Sequence, residues 1–325
     1  MGIEHPIFSV GFGPGAGPEL AAAVAGAGAC GCLGSGGSNA LSIRESVRRV
    51  RALTNNPFAV NVVLHLNRDG VIEACLDEGV PLMFWGDPKP WVADAHRSGA
   101  RVFMQVGSVA EAQAAAEAGV DAIIAQGCEA GGHVRGRTSV MTLVPTIVEA
   151  VQPLPVIASG GIATGRGLVA ALSLGAQGVH MGTRFVASDE ANAAPAYKQR
   201  VVDAETEDLV FCENLFNHGW ENAPHRVLRN RLVEEWEAAG RPESGGRARE
   251  ETPIGTVIRG GSQARIDVRR YAPMMLTADF DGDVEYGPLW AGESCSLVRE
   301  IRPAAEIVRD LVREAEETIA ELARD

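Results

Sequence analysis

The first candidate for chemistry is a histidine at the end of a glycine-rich run, the sequence QGCEAGGH at positions 126–133. An imidazole changes its protonation near neutral pH, so His133 is a candidate acid–base group. The apolar stretch at 120–125 before the run is typical of a short buried strand. Because α/β barrels place reactive groups just past the carboxyl ends of their strands, we expect His133 to face a ligand. The alternative is a strand-to-helix turn whose glycines only satisfy backbone geometry and whose histidine is solvated.

Two further glycine turns follow neighbouring predicted strands. Ser159, Gly160 and Gly161 come after the seventh strand, and Gly182 and Thr183 come after the eighth. In many barrels the backbone N–H groups of two such turns bind one phosphate, and a short helix N-terminus adds its dipole. A tight turn with no ligand is the alternative for a single glycine pair, but two turns at these positions favour phosphate binding.

The elements that would position these residues repeat along the first part of the chain. Short apolar runs alternate with amphipathic segments up to about residue 187, which predicts βα units and a parallel sheet. We predict strands at 7–10, 29–33, 58–63, 81–85, 101–106, 122–125, 156–158 and 178–181, and the clearest helices at 19–27, 43–53, 109–118 and 167–174. Eight strands with intervening helices favour a closed (β/α)8 TIM barrel over an open sheet.

The alternation of short apolar runs with amphipathic segments ends after the eighth strand, which predicts an insertion. We expect a barrel domain at 1–188, an insertion at 189–293 that forms a lid over the barrel mouth, and a C-terminal helix within 294–325 that completes the barrel. Within these segments we predict helices at 226–239 and 297–323 and a charged Gly/Arg-rich link at 240–251. The arginines within 245–249 could meet a coenzyme A or carrier phosphate, but a solvated loop is favoured. A contact surface in a homo-oligomer, or a surface elaboration, is the alternative role for the insertion.

Composition narrows the classes of partner. The chain has 325 residues, 46% of them hydrophobic, and a formal net charge of -13. A strongly acidic chain is poorly suited to nucleic acid or to an anionic membrane, so we expect a small-molecule substrate. The chain start does not resemble a secretion signal, and no apolar run is long enough to span a bilayer, so we expect a soluble cytoplasmic protein. The six cysteines lack paired C-x-x-C spacing and predict neither a disulfide framework nor a metal site.

Taken in order, these motifs resemble one enzyme family. Asn61 on the third strand, the run ending at His133, the sequence ASGG at 158–161 and the sequence GTRF at 182–185 resemble the nitronate monooxygenase superfamily, formerly called 2-nitropropane dioxygenases. That superfamily consists of FMN-dependent (β/α)8 barrels and includes FabK-type enoyl reductases and NAD(P)H:quinone reductases. The resemblance implies FMN as cofactor and places His133 in the catalytic position. It implies that the cofactor contacts Ser159, Gly160, Gly161, Gly182 and Thr183 at its phosphate, and Asn61, Gln105, Gln126 and Gly127 along its ring or ribityl chain.

Two departures from the family pattern leave the reaction open. Relatives commonly begin with a Gln-x-Pro/Gly-Met stretch, where this chain has 8–13 as FSVGFG, and they often carry a lysine where Gln105 stands. The leading hypothesis is oxidation of nitronates or nitroalkanes with O2 to a carbonyl and nitrite. The alternative is a reductase in which NAD(P)H reduces FMN and the flavin reduces an enoyl thioester or quinone. A third hypothesis is an FMN-bearing protein without turnover.

The remaining histidines receive less specific interpretations. We expect His180 to be an oriented barrel residue rather than a catalyst, and His65 to be a candidate for lining the substrate pocket. For His218 and His225 we prefer lid or helix-start roles over a metal site, because no carboxylate lies at a recognisable spacing.

Overall fold

The first half of the chain forms a closed parallel barrel. The computed structural model describes residues 1–217, 220, 222–258 and 264–324. The barrel strands are β1 (Ile7–Ser9), β2 (Gly31–Gly34), β3 (Phe58–Val63), β4 (Leu82–Trp85), β5 (Val102–Val106), β6 (Ala122–Gln126), β8 (Val156–Ser159) and β9 (Gly178–Met181). Their order in the sheet is β1-β9-β8-β6-β5-β4-β3-β2, and a parallel bridge between Phe8 and Cys30 joins the two ends. The predicted TIM barrel is confirmed.

Helices return the chain between the strands on the outside of the barrel. They are α1 (Pro18–Gly26), α2 (Ala40–Leu53), α3 (Val71–Asp77), α4 (Lys89–Arg97), α5 (Val109–Glu117), α6 (Val140–Val151) and α7 (Gly165–Ser173). Polar side chains start several of them. Asn39 accepts hydrogen bonds from the N–H groups of Leu41 and Ser42, and Thr164 accepts one from Gly167. Such caps satisfy N–H groups that have no partner inside the helix.

The inward faces of the strands form two levels. The lower level is apolar and includes Phe8, Cys30, Cys32, Met83 and Phe103. The upper level, at the carboxyl ends, carries the buried polar side chains of Asn61, Gln105, Gln126, Ser159 and His180. Because side chains alternate between the two faces of a strand, the same strands present apolar residues outward to the helices. The apolar level closes the barrel below, so a ligand can enter only among the polar groups above.

After β9 the chain builds additional structure before it returns to the barrel. The elements are α8 (Thr183–Val186), α9 (Pro195–Asp203), β10 (Leu209–Cys212), β11 (His225–Leu228), α10 (Arg231–Ala238), β12 (Pro253–Ile258), β13 (Arg265–Arg269), β14 (Asp281–Gly282) and α11 (Ala304–Leu322). A short strand between β6 and α6, β7 (Gly132–His133), pairs with β11, which pairs with β10. Strand β12 lies between β13 and β14. Helix α11 packs against α7 and α1, so closely that a Cβ atom on Gly165 would lie 2.5 Å from the carbonyl oxygen of Leu311.

Two predicted helices are too long at their N-terminal ends. The segment predicted as a helix at 226–239 begins as strand β11, and the helix starts only at Arg231, where the Asn230 side chain accepts a hydrogen bond from the N–H of Val233. The helix predicted at 297–323 starts at Ala304, because Pro303 precedes it and the residue before a proline is disfavoured in helical conformation. Both errors arise at the boundary and leave the helices themselves in place.

The prediction of a solvated loop at 245–249 is wrong for Arg247. Its side chain is 0% exposed and lies 5.0 Å from the centre of the Tyr271 ring. It donates hydrogen bonds to the carbonyl oxygen of Asn214 and to Oδ1 of Asn217. A buried guanidinium must be paired and hydrogen-bonded. Glu250, 3.3 Å away, supplies the opposite charge and the two acceptors supply hydrogen bonds, so Arg247 is not free to bind a ligand.

None of the described helices is long and apolar enough to cross a membrane.

We predict that Gly31→Ala destabilises the barrel strongly. A Cβ atom on Gly31 would lie 1.9 Å from the carbonyl oxygen of Ala21 in α1, so strand and helix would have to separate. Overpacking of this kind commonly costs about 1–3 kcal/mol. The control is Gly26→Ala at the exposed end of α1, where nothing lies within 4 Å. Urea unfolding should show a lower midpoint for Gly31→Ala and no loss for Gly26→Ala; equal midpoints would contradict the packing.

Candidate active site

A cavity of about 1600 Å³ opens at the carboxyl ends of the barrel strands. Single ligand sites commonly measure about 300–1000 Å³, so this one has room for a cofactor and a substrate together. It is lined by nine of the ten predicted site residues, namely Asn61, Gln105, Gln126, His133, Ser159, Gly160, Gly161, Gly182 and Thr183. Residues from the chain beyond β9, among them Val257, Ile266, Met275 and Trp290, line the same space.

Gly127 is the predicted site residue that the structure does not bring to the cavity. Its N–H donates to the carbonyl oxygen of Ser159, 2.9 Å away. A Cβ atom would lie 2.3 Å from Oε2 of Glu129 and 2.6 Å from the backbone nitrogen of Val140. Glycine is therefore required at 127 by the packing of the turn, and the backbone here faces protein atoms.

The two glycine turns lie side by side at one end of the cavity. Gly160 and Gly161 have φ angles of +97° and +72°, which L-residues with side chains rarely adopt. Their N–H groups donate to no acceptor within the part of the chain that the structure describes. After the next strand, the hydroxyl of Thr183 accepts a hydrogen bond of 2.9 Å from the N–H of Gly292, which leaves its own proton free to donate. These donors could hold an anion, and a phosphate is the natural candidate.

The loop that carries His133 is fixed from both sides. The Gln126 amide donates from Nε2 to the carbonyl oxygen of His133 at 3.0 Å and accepts from the N–H of Arg135 at 2.7 Å. On the other side, His133 pairs with His225 between β7 and β11. Both ends of the Gln126 amide are thus engaged by the loop, so this side chain positions His133.

A second restraint on the loop is the close contact of Gly131 with the backbone of residues 291 and 292. A Cβ atom on Gly131 would lie 2.2 Å from the carbonyl carbon of Ala291 and 2.3 Å from the nitrogen of Gly292. The N–H of Glu293 donates to the carbonyl oxygen of Glu129 at 2.9 Å. The segment around Trp290 therefore lies directly against the His133 loop, and only glycine permits this approach.

Aromatic rings surround His133. The centre of its ring lies 4.1 Å from that of Trp220, 5.3 Å from Trp290, 5.8 Å from His225 and 6.2 Å from Trp85. The three tryptophans line the cavity and were not predicted, since they lie far apart in the sequence and no motif links them. His65 stacks on Trp220 at 4.7 Å and does not itself line the cavity.

The enclosed position of His133 keeps its imidazole neutral. Burial, and then the neighbouring His225 and His65, lower the pKa of His133 to about 3. Its Nδ1 atom is shielded from solvent and has no hydrogen-bond partner among the described residues. At neutral pH the ring is therefore an uncharged hydrogen-bonding group, and a proton acceptor of such low pKa is a weak base.

His225 is a structural neighbour of His133. It is fully buried, its Nδ1 lies 2.8 Å from the carbonyl oxygen of Ala223, and its Nε2 accepts a hydrogen bond of 3.1 Å from the N–H of Phe216. Burial lowers its pKa to about 4. The predicted helix start at His225 is wrong, since His225 lies within β11, in the segment predicted as a lid; His218, which received the same interpretation, lies outside the described residues.

His180 points into the barrel at the level of Ser159, as predicted for an oriented barrel residue. Its Nδ1 lies 3.4 Å from the Ser159 hydroxyl, and burial lowers its pKa to about 4. His180 lines the floor of the cavity, in line with a neutral role there.

Charge on the cavity walls is confined to the mouth. Of the described residues that line the cavity, the charged ones are Arg49, Arg68, Glu19, Glu45, Asp189 and Glu190. We call the deep part of the cavity, lined by the three tryptophans, the amide side chains, His133 and His180, its inner end. The two histidines there have lowered pKa values, and none of the other side chains is ionised. The inner end is thus uncharged, and carboxylates outnumber guanidinium groups at the mouth.

Comparison with known proteins identifies the family. The family model described as nitronate monooxygenase matches residues 1–75 and 70–314. The chain belongs to the nitronate monooxygenase family. It is thus an oxidoreductase from a family of FMN-dependent flavoenzymes.

Relatives within this family carry different names. The chain is 32% identical to the (3aS,4S,5R,7aS)-5-hydroxy-7a-methyl-1-oxo-octahydro-1H-indene-4-carboxyl-CoA dehydrogenase of Mycobacterium tuberculosis, over 97% of this chain and 94% of the relative. It is 30% identical to the nitronate monooxygenase of Paraburkholderia phytofirmans, over 99% and 95%. The structure of FabK from Thermotoga maritima aligns with a TM-score of 0.83 and 35% identity, over 99% and 96%. Family membership therefore leaves the substrate open.

We predict that the protein loses stability as the pH falls from about 6.5 towards 4. In the unfolded chain His133, His180 and His225 would take up protons at their ordinary pKa of 6.5, whereas in the folded chain their pKa values are about 3, 4 and 4. The unfolded state then binds more protons in this window, which costs up to about 1.4 kcal/mol per pH unit for each group. The midpoints of urea unfolding at pH 7.5 and 5.0 test this prediction. The difference between the two midpoints should be smaller in His180→Gln than in the wild type. Equal wild-type midpoints would contradict the assignment of neutral histidines.

Proposed function

We propose that the protein binds FMN across the barrel mouth, with the phosphate between the turn Ser159–Gly161 and the pair Gly182 and Thr183. The free N–H groups of Gly160 and Gly161 and the available Thr183 proton suit a phosphate dianion. A Cβ atom on Gly182 would meet only Val10, at 3.4 Å, and would project into the cavity where the anion would lie. The residues present therefore fit the cofactor of the family. FMN, when bound, would supply an acceptor and donor of a hydride next to His133.

We further propose that the substrate is a neutral, conjugated carbonyl compound, a quinone or an enoyl thioester, reduced at the expense of NAD(P)H. The observation that carries this proposal is the uncharged inner end of the cavity, where His133 has a pKa of about 3 and no cationic side chain of the described residues lines the wall. A buried anion would lack a compensating charge there, whereas a neutral planar molecule would pack against Trp85, Trp220 and Trp290. The carboxyl-CoA dehydrogenase name of one relative agrees with a thioester.

In this reaction His133 would orient the substrate by a hydrogen bond. A neutral imidazole can donate to a carbonyl oxygen and stabilise the negative charge that gathers there as hydride arrives at the conjugated carbon. Gln126 holds the backbone of the same residue, so the ring would be positioned before the substrate enters. In the balanced reaction NAD(P)H and one proton reduce the acceptor by two electrons, and NAD(P)+ is released.

Oxidation of a nitronate with O2 to a carbonyl and nitrite is the second candidate. Its support is the family match and the 30% identity with a nitronate monooxygenase along almost the whole chain. The low pKa of His133 argues against removal of a proton from a neutral nitroalkane, so the preformed nitronate would be the substrate.

An anaerobic reduction screen separates the two candidates. The purified holoprotein is mixed under nitrogen with NADH, NADPH or propyl-2-nitronate while the absorption of the flavin is followed. Fast bleaching by a nicotinamide, followed by reoxidation with a quinone or an enoyl thioester, supports the reductase. Bleaching by the nitronate alone would overturn it and support the oxygenase.

We predict that the purified protein is yellow and releases FMN, not FAD, on denaturation. Gly182→Leu should fold but lose the flavin, because the new side chain would occupy the space of the phosphate. Gly26→Leu, at an exposed helix end where nothing lies within 4 Å, is the control and should stay yellow. Chromatography identifies the released flavin, and the molar ratio of flavin to protein shows whether each variant retains it. Stoichiometric FAD, or a yellow Gly182→Leu, would place the phosphate site elsewhere.

We predict that His133→Ala keeps its flavin and loses turnover. The phosphate site lies on other strands, and one positioned hydrogen-bond donor to a developing oxyanion is commonly worth about 10²- to 10³-fold in kcat. His133→Asn, which can place an amide N–H near the position of Nδ1, should recover part of the loss. The wild-type kcat/KM should stay level between pH 5 and 8, because His133 remains neutral throughout that range. A histidine step near pH 6.5 that His133→Asn abolishes would contradict the role of a neutral donor.

A further inference from the structure

One guanidinium joins the loop of His133 to the segment that carries Trp290. Arg226 lies in β11, and its Nη2 atom donates to the carbonyl oxygen of Cys128 at 2.7 Å. The same nitrogen lies 3.0 Å from Oε1 of Glu293. Cys128 belongs to the loop after β6, and Glu293 follows Trp290 by three residues. Arg226 therefore connects two segments that are distant in sequence and that meet at His133.

The ion pair of Arg226 and Glu293 lies outside the cavity. The Arg226 side chain is 13% exposed and the Glu293 side chain is 35% exposed. The guanidinium carbon lies 5.7 Å from the centre of the Phe211 ring in β10. Neither Arg226 nor Glu293 lines the cavity. Any effect of this pair on the site must therefore act through the residues that it holds.

Backbone contacts place both partners of the pair against the His133 loop. Arg226 is in register with Gly132, the residue before His133. The N–H of Glu293 donates to the carbonyl oxygen of Glu129 at 2.9 Å. The contact between the two side chains thus completes a closed set of contacts among the loop, β11 and the segment that ends at Glu293.

A second ion pair between the same loop and the insertion provides a comparison. Arg137 pairs with Glu213, and their side chains are 81% and 65% exposed. Such exposed pairs contribute little, because solvent screens the charges and pairing costs side-chain entropy. Arg226 is mostly buried and also bonds a backbone oxygen, so removal of its partner leaves a poorly solvated charge. We therefore expect the Arg226 pair to hold the two segments more firmly.

We propose that Arg226 is a positioning residue for His133, and that its pair with Glu293, which we call the latch, keeps the insertion closed against the His133 loop. The centre of the His133 ring lies 5.3 Å from that of Trp290, across the contact that the latch holds. When the latch is broken, the two segments can separate and the imidazole loses its fixed orientation. The importance of that orientation for turnover rests on the proposed function, whereas the opening itself is measured without a substrate.

Opening also changes the protonation of His133, in a direction that separates positioning from a direct effect of charge. Burial is the main cause that lowers the pKa of His133, and His225 on β11 and His65 after β3 lower it further. An opened loop exposes the ring to water, so the pKa should rise in both Arg226→Gln and Glu293→Ala. By charge alone, loss of the cation would raise this pKa and loss of the anion would lower it.

The test measures how often the contact opens. Amide hydrogen exchange is followed by NMR on the holoprotein at pH 7. The reporters are the N–H groups of Val134 and Glu293, which donate at 2.9 Å to carbonyl oxygens on the other side of the contact. The N–H of Gly127, in the same loop, donates to Ser159 in the barrel and reports the stability of the fold itself.

The variants are Arg226→Gln, Glu293→Ala, the two combined, Arg226→Lys, and the exposed control Arg137→Gln. Each latch variant should speed exchange of both reporters by about 10- to 100-fold, the usual worth of a hydrogen bond to a charged group. The combined variant should exchange no faster than the faster single one, because the two side chains act as a unit. Arg226→Lys should recover part of the protection. Arg137→Gln should match the wild type, and Gly127 should exchange at the same rate in all variants.

Five results would overturn the latch. They are unchanged reporter rates in Arg226→Gln, an equal acceleration of Gly127, an equal acceleration in Arg137→Gln, effects that multiply in the combined variant, and a pKa of His133 that falls in Glu293→Ala. If Arg226→Gln does not fold, Glu293→Ala decides alone, since it leaves the bond of Arg226 to the loop in place. A protein that binds no FMN would refute the proposed function instead, and the exchange rates would still decide on the latch.

Discussion

The site depends on the contacts that hold the His133 loop from two sides. On one side the amide of Gln126 bonds the loop backbone at two points, and on the other side β7 pairs with β11. Gly131 allows the backbone near Trp290 to approach so closely that no side chain could intervene. The loop after β6 is therefore enclosed by chain from the insertion. The enclosure places three tryptophans around the imidazole and lowers its pKa.

The chemistry we propose follows from that enclosure. A histidine on an open loop would titrate near neutral pH and serve as a base. Enclosed by aromatic rings, His133 remains neutral and is limited to hydrogen bonding. In the proposed complex the phosphate of the cofactor would lie at the turns after β8 and β9, so no cation would be required beside the substrate. A divided cavity of this kind, with a phosphate end and an uncharged inner end, favours neutral substrates.

Much of this architecture could be predicted from the sequence, because it depends on local patterns. The eight barrel strands were predicted to within about two residues, since buried parallel strands read as short apolar runs between glycine-ended helices. The glycine turns at 160–161 and 182 also follow strand ends and could be placed by position alone. The start of the helix at 226–239 could not, because residues 225–228 become a strand through pairing with β10 and with two residues of the distant loop after β6.

The set of residues that surrounds His133 could not be predicted from local sequence patterns. Trp85, Trp220 and Trp290 come from three separate segments, and their meeting depends on how the insertion returns to the barrel. Gly127 and Gly160 lie in similar glycine-rich runs, yet the first is required by packing against Glu129 and the second lines the cavity. The protonation of His133 likewise depends on neighbours that are distant in sequence, among them His225 and His65.

The most direct test of the account is the protonation state of His133 in solution. Histidines labelled with ¹³C and ¹⁵N are followed by NMR from pH 8 to pH 5, and the signals of His133 are assigned by their loss in His133→Asn. The account predicts that the ring of His133 stays neutral over the whole range, since its pKa is lowered to about 3. A titration of that signal with a midpoint near 6.5 would contradict the neutral inner site and, with it, the preference for a neutral substrate.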